Sequence, residues 1–370
     1  MRVTIDAVPL LYRSAGVKNY LYYWIRSLRQ EAGDIDLRLF PFLPEPSALD
    51  HESRGVDPFG AFLRLGLMFW LNRIPAGLAR FLGPRPDLFH ASKLRHPPRG
   101  PKLTATIHDL TWRLMPELHS PANVAAERVF AENVLRRADG LIAVSEATRA
   151  DAVRILKLPP RKIRVIHHGV SNAFFQAGAA EADRARSRHS LQRPYALFVG
   201  TIEPRKNVAL LLDAWNGLPP SVRAEFDLVA AGPPGWRQRE TLARLAAPPP
   251  GVRYLGYVPE QDLPGLFAGA TAFIYPSLYE GFGFPVAQAM AAGTPVVTSA
   301  VSALPEIAGG AAALIDPRSE AELRHAIADI LTSPAHRAEM AAQGRLNARR
   351  FTWPECARQS AQFFREIAFD

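Results

Sequence analysis

The chain has 370 residues, 48% of them hydrophobic, enough to bury two cores of ordinary size, so two domains are expected. Its one cysteine, Cys356, excludes a disulfide framework and a cysteine-based metal site and fits a reducing compartment. The net charge of +9 comes with arginines spread along the whole chain and no zinc-finger spacing, RNA-binding aromatic signature or basic heptad, which argues against nucleic acid and leaves an acidic ligand or an anionic membrane.

Met1-Arg2-Val3-Thr4-Ile5-Asp6 runs straight into a strand predicted over 3–7, with no signal-peptide apolar region, so a cytoplasmic location is expected. A turn, Ala15-Gly16-Val17, precedes a helix over about 19–30, and a second strand follows over 37–42. Residues 60–83 mix Leu63, Phe69, Trp70, Ile74 and Phe81 with Arg64, Arg73 and Arg80. That composition suits a helix lying on an anionic lipid surface, and equally a core helix followed by a loop. The apolar run at 65–71 is far too short to span a bilayer.

Short strands follow over 88–90, 103–108 and 140–144, with a helix over about 121–137 and another after Ser145. Ser145 reads as the N-cap of that helix and Glu146 favours its start. His108-Asp109 stands at a strand end, where open α/β sheets place their ligands. A strand over 163–167 closes this half at His168-Gly169; His167 and His168 read as structural. The stretch from Phe174 to Arg193 shows little apolar periodicity and reads as a linker, taken as 176–193, between a domain at 1–175 and another at 194–352.

The second half alternates strands near 195–200, 226–231, 252–255, 271–275, 295–299 and 312–315 with helical runs. Amphipathic segments at about 319–332, 335–350 and 355–367 end the chain; 353–370 is expected as a helix able to cross back to the first domain. Strands separated by helices imply parallel sheets with right-handed crossovers. The expected fold class is α/β, two doubly wound Rossmann-like domains facing across a cleft.

Two joints in this half carry the chemistry. In Thr201-Ile202-Glu203-Pro204-Arg205-Lys206-Asn207, after the buried strand that ends at Gly200, adjacent cations sit just before a helix, placed to hold phosphate oxygens. In Ser277-Leu278-Tyr279-Glu280-Gly281-Phe282-Gly283-Phe284-Pro285, a glycine-rich turn between strand and helix leaves backbone N–H groups and a helix N-terminus for an anion. Glu280 lies at its lip. One joint supplies cations and the other backbone donors, which suits a diphosphate.

At these residues the chain resembles the retaining family 4 glycosyltransferases of the GT-B fold, most strongly over 200–207 and 257–317, including Ser302-Ala303-Leu304-Pro305-Glu306. It looks most like bacterial mannosyltransferase-type enzymes of surface polysaccharide assembly. The resemblance implies an N-terminal acceptor domain and a C-terminal domain for a nucleotide-diphosphate sugar. By position, Arg205 and Lys206 hold the diphosphate, and Glu280 orients the sugar with the N–H groups of Gly281, Phe282, Gly283 and Phe284. Gly200 lies in the phosphate joint, Tyr257 and Val258 beside the base, Gly16 in a loop over the diphosphate, and His108 near the reacting carbon. The family's second acidic position, which contacts ribose, is Gln288 here, an amide with weaker hydrogen bonds than a carboxylate.

The implied reaction is a metal-independent, retaining transfer of a hexose, with mannose from GDP-mannose favoured, to a hydroxyl of a glycan or lipid-linked glycan. The expected partners are that donor, that acceptor and an anionic membrane at the cytoplasmic face. Asp34-Ile35-Asp36 has the Asp-x-Asp spelling of metal-dependent glycosyltransferases but falls before a strand of the wrong domain, so no metal or other cofactor is expected. A nicotinamide oxidoreductase lacks its Gly-x-Gly-x-x-Gly after the first strand. A catalytically silent homologue serving in assembly is the alternative that Gln288 and the single-glycine turn keep open.

Overall fold

The computed structural model describes residues 1–11, 16–41, 58–72 and 85–369. Ala15, Arg73, Ile74, Arg80 and Phe81, named above, lie outside the described residues. The chain divides into two compact units: Met1–Gly169 with Thr352–Asp370, and Val170–Phe351.

The first unit holds six strands, β1 (Arg2–Asp6), β2 (Asp36–Phe40), β3 (Leu88–Ala91), β4 (Lys102–Ile107), β5 (Gly140–Ala143) and β6 (Ile163–Val165). They form one parallel sheet in the order β2-β1-β3-β4-β5-β6. β3 and β5 are buried along their whole length, as expected of parallel strands covered on both faces. The helix Gly16–Glu31 buries Tyr20, Leu21, Trp24, Ile25 and Leu28, a stripe at three- and four-residue spacing. Against it lies the C-terminal helix Trp353–Phe369, with Trp24 Nε1 donating to Ser360 Oγ at 2.9 Å. Arg358 pairs with Glu31 at 2.8 Å and Arg365 with Asp34 at 2.7 Å along the same seam. A side chain at Gly140 would meet Ile367 at 2.6 Å, so the glycine is what lets this helix close on β5.

The second unit holds β7 (Tyr195–Val199), β8 (Asp227–Ala231), β9 (Val252–Gly256), β10 (Ala272–Tyr275), β11 (Val296–Ser299) and β12 (Ala313–Ile315). All neighbours are parallel, in the order β12-β11-β10-β7-β8-β9. This is the doubly wound order, with its switch point between β7 and β10.

The stretch read as a linker is a helix, Ala179–Arg188, and belongs to this unit. Its start is capped by Glu181, whose carboxylate accepts the Gly178 N–H at 3.0 Å. Ala182 and Ala185 are buried, and the helix lies so close to Leu263–Ala268 that a Cβ at Gly265 would meet Glu181 O at 2.3 Å. Close backbone approach through small residues leaves no strong apolar periodicity, which is why sequence reading took it for a connector. The boundary moves for the same kind of reason: Phe174 packs edge-on against Phe267, 5.6 Å between ring centres.

Candidate active site

The site of the second unit is built on the two strands that flank its switch point. β7 and β10 pair through Ala196 with Ala272 and Leu197 with Phe273, so the loops leaving their carboxyl ends are neighbours. After β7 the chain makes a 3-10 turn, Pro204–Lys206, and Asn207 turns it in the left-handed region (φ 59°) into the helix Val208–Asn216. After β10 it runs to Gly283, whose φ of 100° starts the helix Phe284–Ala292 with Pro285 in its first turn. The two loops are stitched together. Leu278 N donates to Arg205 O at 2.8 Å, and Asn207 Nδ2 donates to Pro276 O at 3.1 Å and Pro317 O at 2.7 Å.

On this frame sits a cluster of four charges, three of them buried and Arg205 partly exposed. Glu280 Oε1 accepts from Lys206 Nζ at 2.6 Å, Ser277 Oγ at 2.7 Å and Tyr275 Oη at 2.9 Å. Its other oxygen, Oε2, pairs with Arg205 Nη1 at 2.7 Å. Arg205 Nη1 also donates to Tyr279 O at 2.8 Å, while Nη2 donates to Glu203 Oε1 at 2.7 Å. Lys206 Nζ reaches Tyr275 Oη at 2.6 Å, closing a Lys206–Tyr275–Glu280 triangle. Behind the cluster, Glu280 N donates to Ser302 Oγ at 2.8 Å, and Ser302 itself takes a positive φ of 54°.

Burial drives the Glu280 carboxyl up, but Arg205, Lys206 and the hydrogen bonds from Lys206 and Ser277 outweigh it and hold the group at about 2. Burial, with Arg205 beside it, lowers Lys206, against the pull of Glu280 and Glu203. Tyr275 is pushed up by burial and by the Glu280 charge, so it stays a neutral phenol that can accept from Lys206 and donate to Glu280. Two cations at a strand end are thus neutralised by carboxylates already in place.

Of the residues singled out from sequence, the structure brings Arg205, Lys206 and Glu280 into direct contact, with Gly281, Phe282, Gly283 and Phe284 on the same loop. Phe282 and Phe284 meet edge-on at 5.3 Å between ring centres. Gln288 lies one turn into the helix and is buried. Gly200 follows β7; Tyr257 and Val258 follow β9, two strands away on the same edge of the sheet. Sequence reading did not single out Glu203, Tyr275, Ser277 or Ser302 as site residues. Glu203 and Ser277 lie inside the two motifs, Tyr275 ends β10 and Ser302 follows β11, so the signal was a polar residue at a strand or loop position beside the motifs.

His108 and Gly16 belong to the first unit. Gly16 opens its helix, exposed, with open space where a side chain would stand. His108 follows β4, with the Tyr20 ring edge-on at 4.9 Å and His168 tilted at 5.7 Å. Trp353 lies 6.2 Å from both Tyr20 and His168. Beneath them His90 sits between Thr104 (2.9 Å) and Thr106 (3.1 Å), and Tyr20 Oη shares Thr106. Burial pushes the His108 imidazole down to about 4, with Asp109 opposing and Lys93 adding to the shift; burial takes His90 to about 3 and lowers His168 as well. Asp109 caps the next turn through Thr111 N and Oγ1, at 3.0 and 2.7 Å.

Residues 14–174 match the family described as Glycosyltransferase Family 4, and residues 179–347 the one described as Glycosyl transferases group 1. The chain belongs to the family 4 glycosyltransferases. It is 29% identical over 383 positions to the O-antigen chain mannosyltransferase B of Escherichia coli, covering 99% of this chain and 100% of that one. The transferase also superposes on solved structures over their full length. Sucrose-phosphate synthase from Thermosynechococcus elongatus gives a TM-score of 0.75 at 21% identity, covering 99% of each chain. HepE from Anabaena, solved with UDP and glucose, gives 0.73 at 19% identity with the same coverage. These two likenesses bear on the fold, which is GT-B. No helix among the described residues is long and apolar enough to cross a membrane.

Proposed function

We propose that this glycosyltransferase moves mannose from GDP-mannose to a hydroxyl of a glycan or lipid-linked glycan, with retention at the anomeric carbon and without a metal. The observation that carries the donor reading is the cluster of partly exposed Arg205 and buried Lys206 on Glu280 at the switch point of a doubly wound sheet. Mannose and a surface-glycan acceptor are supported by the Escherichia coli O-antigen relative.

In this reading a diphosphate displaces the Glu280 carboxylate from Arg205 and Lys206. The cations then stabilise the charge that develops on the leaving phosphate, the work that a bound metal performs in other transferases. Glu280, released, turns to the sugar hydroxyls. The loop from Gly281 to Phe284 presents N–H groups at the start of its helix, Tyr257 and Val258 flank the base, and Gln288 meets the ribose. By the resemblance, His108 of the first unit is the residue assigned near the reacting carbon, and Gly16 lies in the turn assigned to the diphosphate. The acceptor hydroxyl attacks the face that the nucleotide leaves, and the departing phosphate oxygen takes its proton, so the protein contributes position and field.

The helix Pro58–Leu71 exposes Leu63, Phe69 and Trp70 on the same helix as Arg64, which supports docking at an anionic cytoplasmic membrane face. Replacing Phe69 and Trp70 by serine is expected to weaken co-sedimentation with anionic liposomes, and unchanged binding refutes the docking.

The deciding experiment is a donor panel. Wild type, Arg205→Ala and Glu280→Ala are scanned for thermal stabilisation and slow hydrolysis with GDP-, UDP-, ADP- and dTDP-sugars. Stabilisation of wild type by GDP-mannose that disappears in Arg205→Ala supports the reading. Preference for another nucleotide corrects the donor, and no response to any points to the silent homologue.

A further inference from the structure

Arg205 is shared between two buried carboxylates. One, Glu280, lies on the loop between β10 and its helix and is the group the sugar needs. The other, Glu203, is 4% exposed and is fixed from both sides by backbone. Ile202 N donates to Pro233 O and Gly235 N returns to Ile202 O, each at 3.0 Å, while Lys206 N donates to Glu203 O at 3.0 Å. The carboxylate of Glu203 meets Arg205 Nη2 at 2.7 Å, while Glu280 holds Nη1.

A site that needed only positive charge for a diphosphate would be weakened by a buried carboxylate next to its arginine. The four formal charges of Glu203, Arg205, Lys206 and Glu280 cancel before any nucleotide arrives. We propose that Glu203 is a positioning residue: it keeps the Arg205 guanidinium aimed at the donor's diphosphate after Glu280 has been displaced. This rests on the reading of Arg205 as a phosphate ligand given above. The carboxylate accepts from Nη2, Tyr279 O accepts from Nη1, and the Nη1 contact now made to Glu280 passes to phosphate, so the ordering of a long side chain is already complete when the nucleotide binds.

Charge and positioning predict opposite signs, and that makes the inference testable. Calorimetric titrations of the full chain with GDP and UDP, and with guanosine and uridine, are run on wild type, Glu203→Gln, Arg205→Ala and the double variant. Glu203→Gln is expected to weaken binding of the preferred diphosphate roughly tenfold and to leave the nucleoside's affinity unchanged. In the Arg205→Ala background the same change is expected to do nothing, because Glu203 acts through that arginine. Glu203→Asp keeps the charge but stops a methylene short, so it too is expected to bind the diphosphate more weakly; it also serves if the glutamine variant does not fold. Diphosphate binding that is unchanged or tighter in Glu203→Gln, or an effect that persists without Arg205, overturns the inference while the donor reading stands. If wild type binds neither diphosphate, or Arg205→Ala binds as well as wild type, the donor reading falls and this inference with it.

Discussion

Lys206 Nζ and Glu280 Oε1 lie 2.6 Å apart, although 74 positions separate them in the chain. Both are buried, and Tyr275 Oη touches each of them. The pair spans the two loops at the switch point, so whatever binds one residue is felt by the other.

Glu280→Gln keeps the shape of that contact and removes its charge. Transfer is expected to fall roughly a hundredfold, since a misdirected sugar loses the geometry of attack. Binding of the free nucleoside diphosphate is expected to tighten, because Arg205 and Lys206 no longer have a resident carboxylate. Measuring turnover beside diphosphate affinity tests both; a loss of diphosphate binding would contradict the displacement described above.

Tyr275→Phe removes one of the acceptors of Lys206 and one of the donors to Glu280 in a buried place. The expected loss is about 1–3 kcal/mol of stability, seen as a lower urea midpoint, with a clear drop in turnover. A variant as stable and active as wild type would show that the phenol is only filler.

Gln288→Glu restores an acidic group at the position expected to meet ribose, and is expected to lower the Michaelis constant for the donor. Gln288 is 7% exposed, so a carboxylate there is also expected to lower the melting temperature of the empty protein. Saturating nucleotide should recover that loss. A large rise in the Michaelis constant would place Gln288 away from the donor.

The histidines of the first unit set an acid limit. His90 and His108 are held near 3 and 4 against a usual value of 6.5, and His168 is lowered too, so the unfolded chain takes up protons that the folded one refuses. Their contribution is complete above pH 6.5 and is lost as the pH falls through 4 towards 3. Glu280, held at about 2 against 4.5, adds a second loss at lower pH in the same direction. Urea midpoints are expected to fall from pH 7 to 5, less steeply in His90→Gln; a flat profile across that range would count against buried neutral histidines.

Both joints of the site were legible as sequence because their signals are local. A buried strand, a turn rich in glycine or cations and a helix start lie within about twenty residues, and each has its own backbone cause. The alternation of strands and helices likewise announced parallel sheets. Sequence did not reveal Glu203, Tyr275 and Ser277 as partners of Arg205 and Glu280, because their role depends on β7 lying beside β10.

The sequence by itself determined the fold class and the two strand–turn–helix joints that carry Arg205, Lys206 and Glu280, all through periodicity and turn chemistry of short range. Only the tertiary structure decided which carboxylate holds which cation, that 179–188 is a packed helix, and that the C-terminal helix belongs with the first sheet. Those outcomes depend on how closely distant backbones approach, at Gly265 and Gly140, and on burial that turns an ordinary polar side chain into a fixed electrostatic partner.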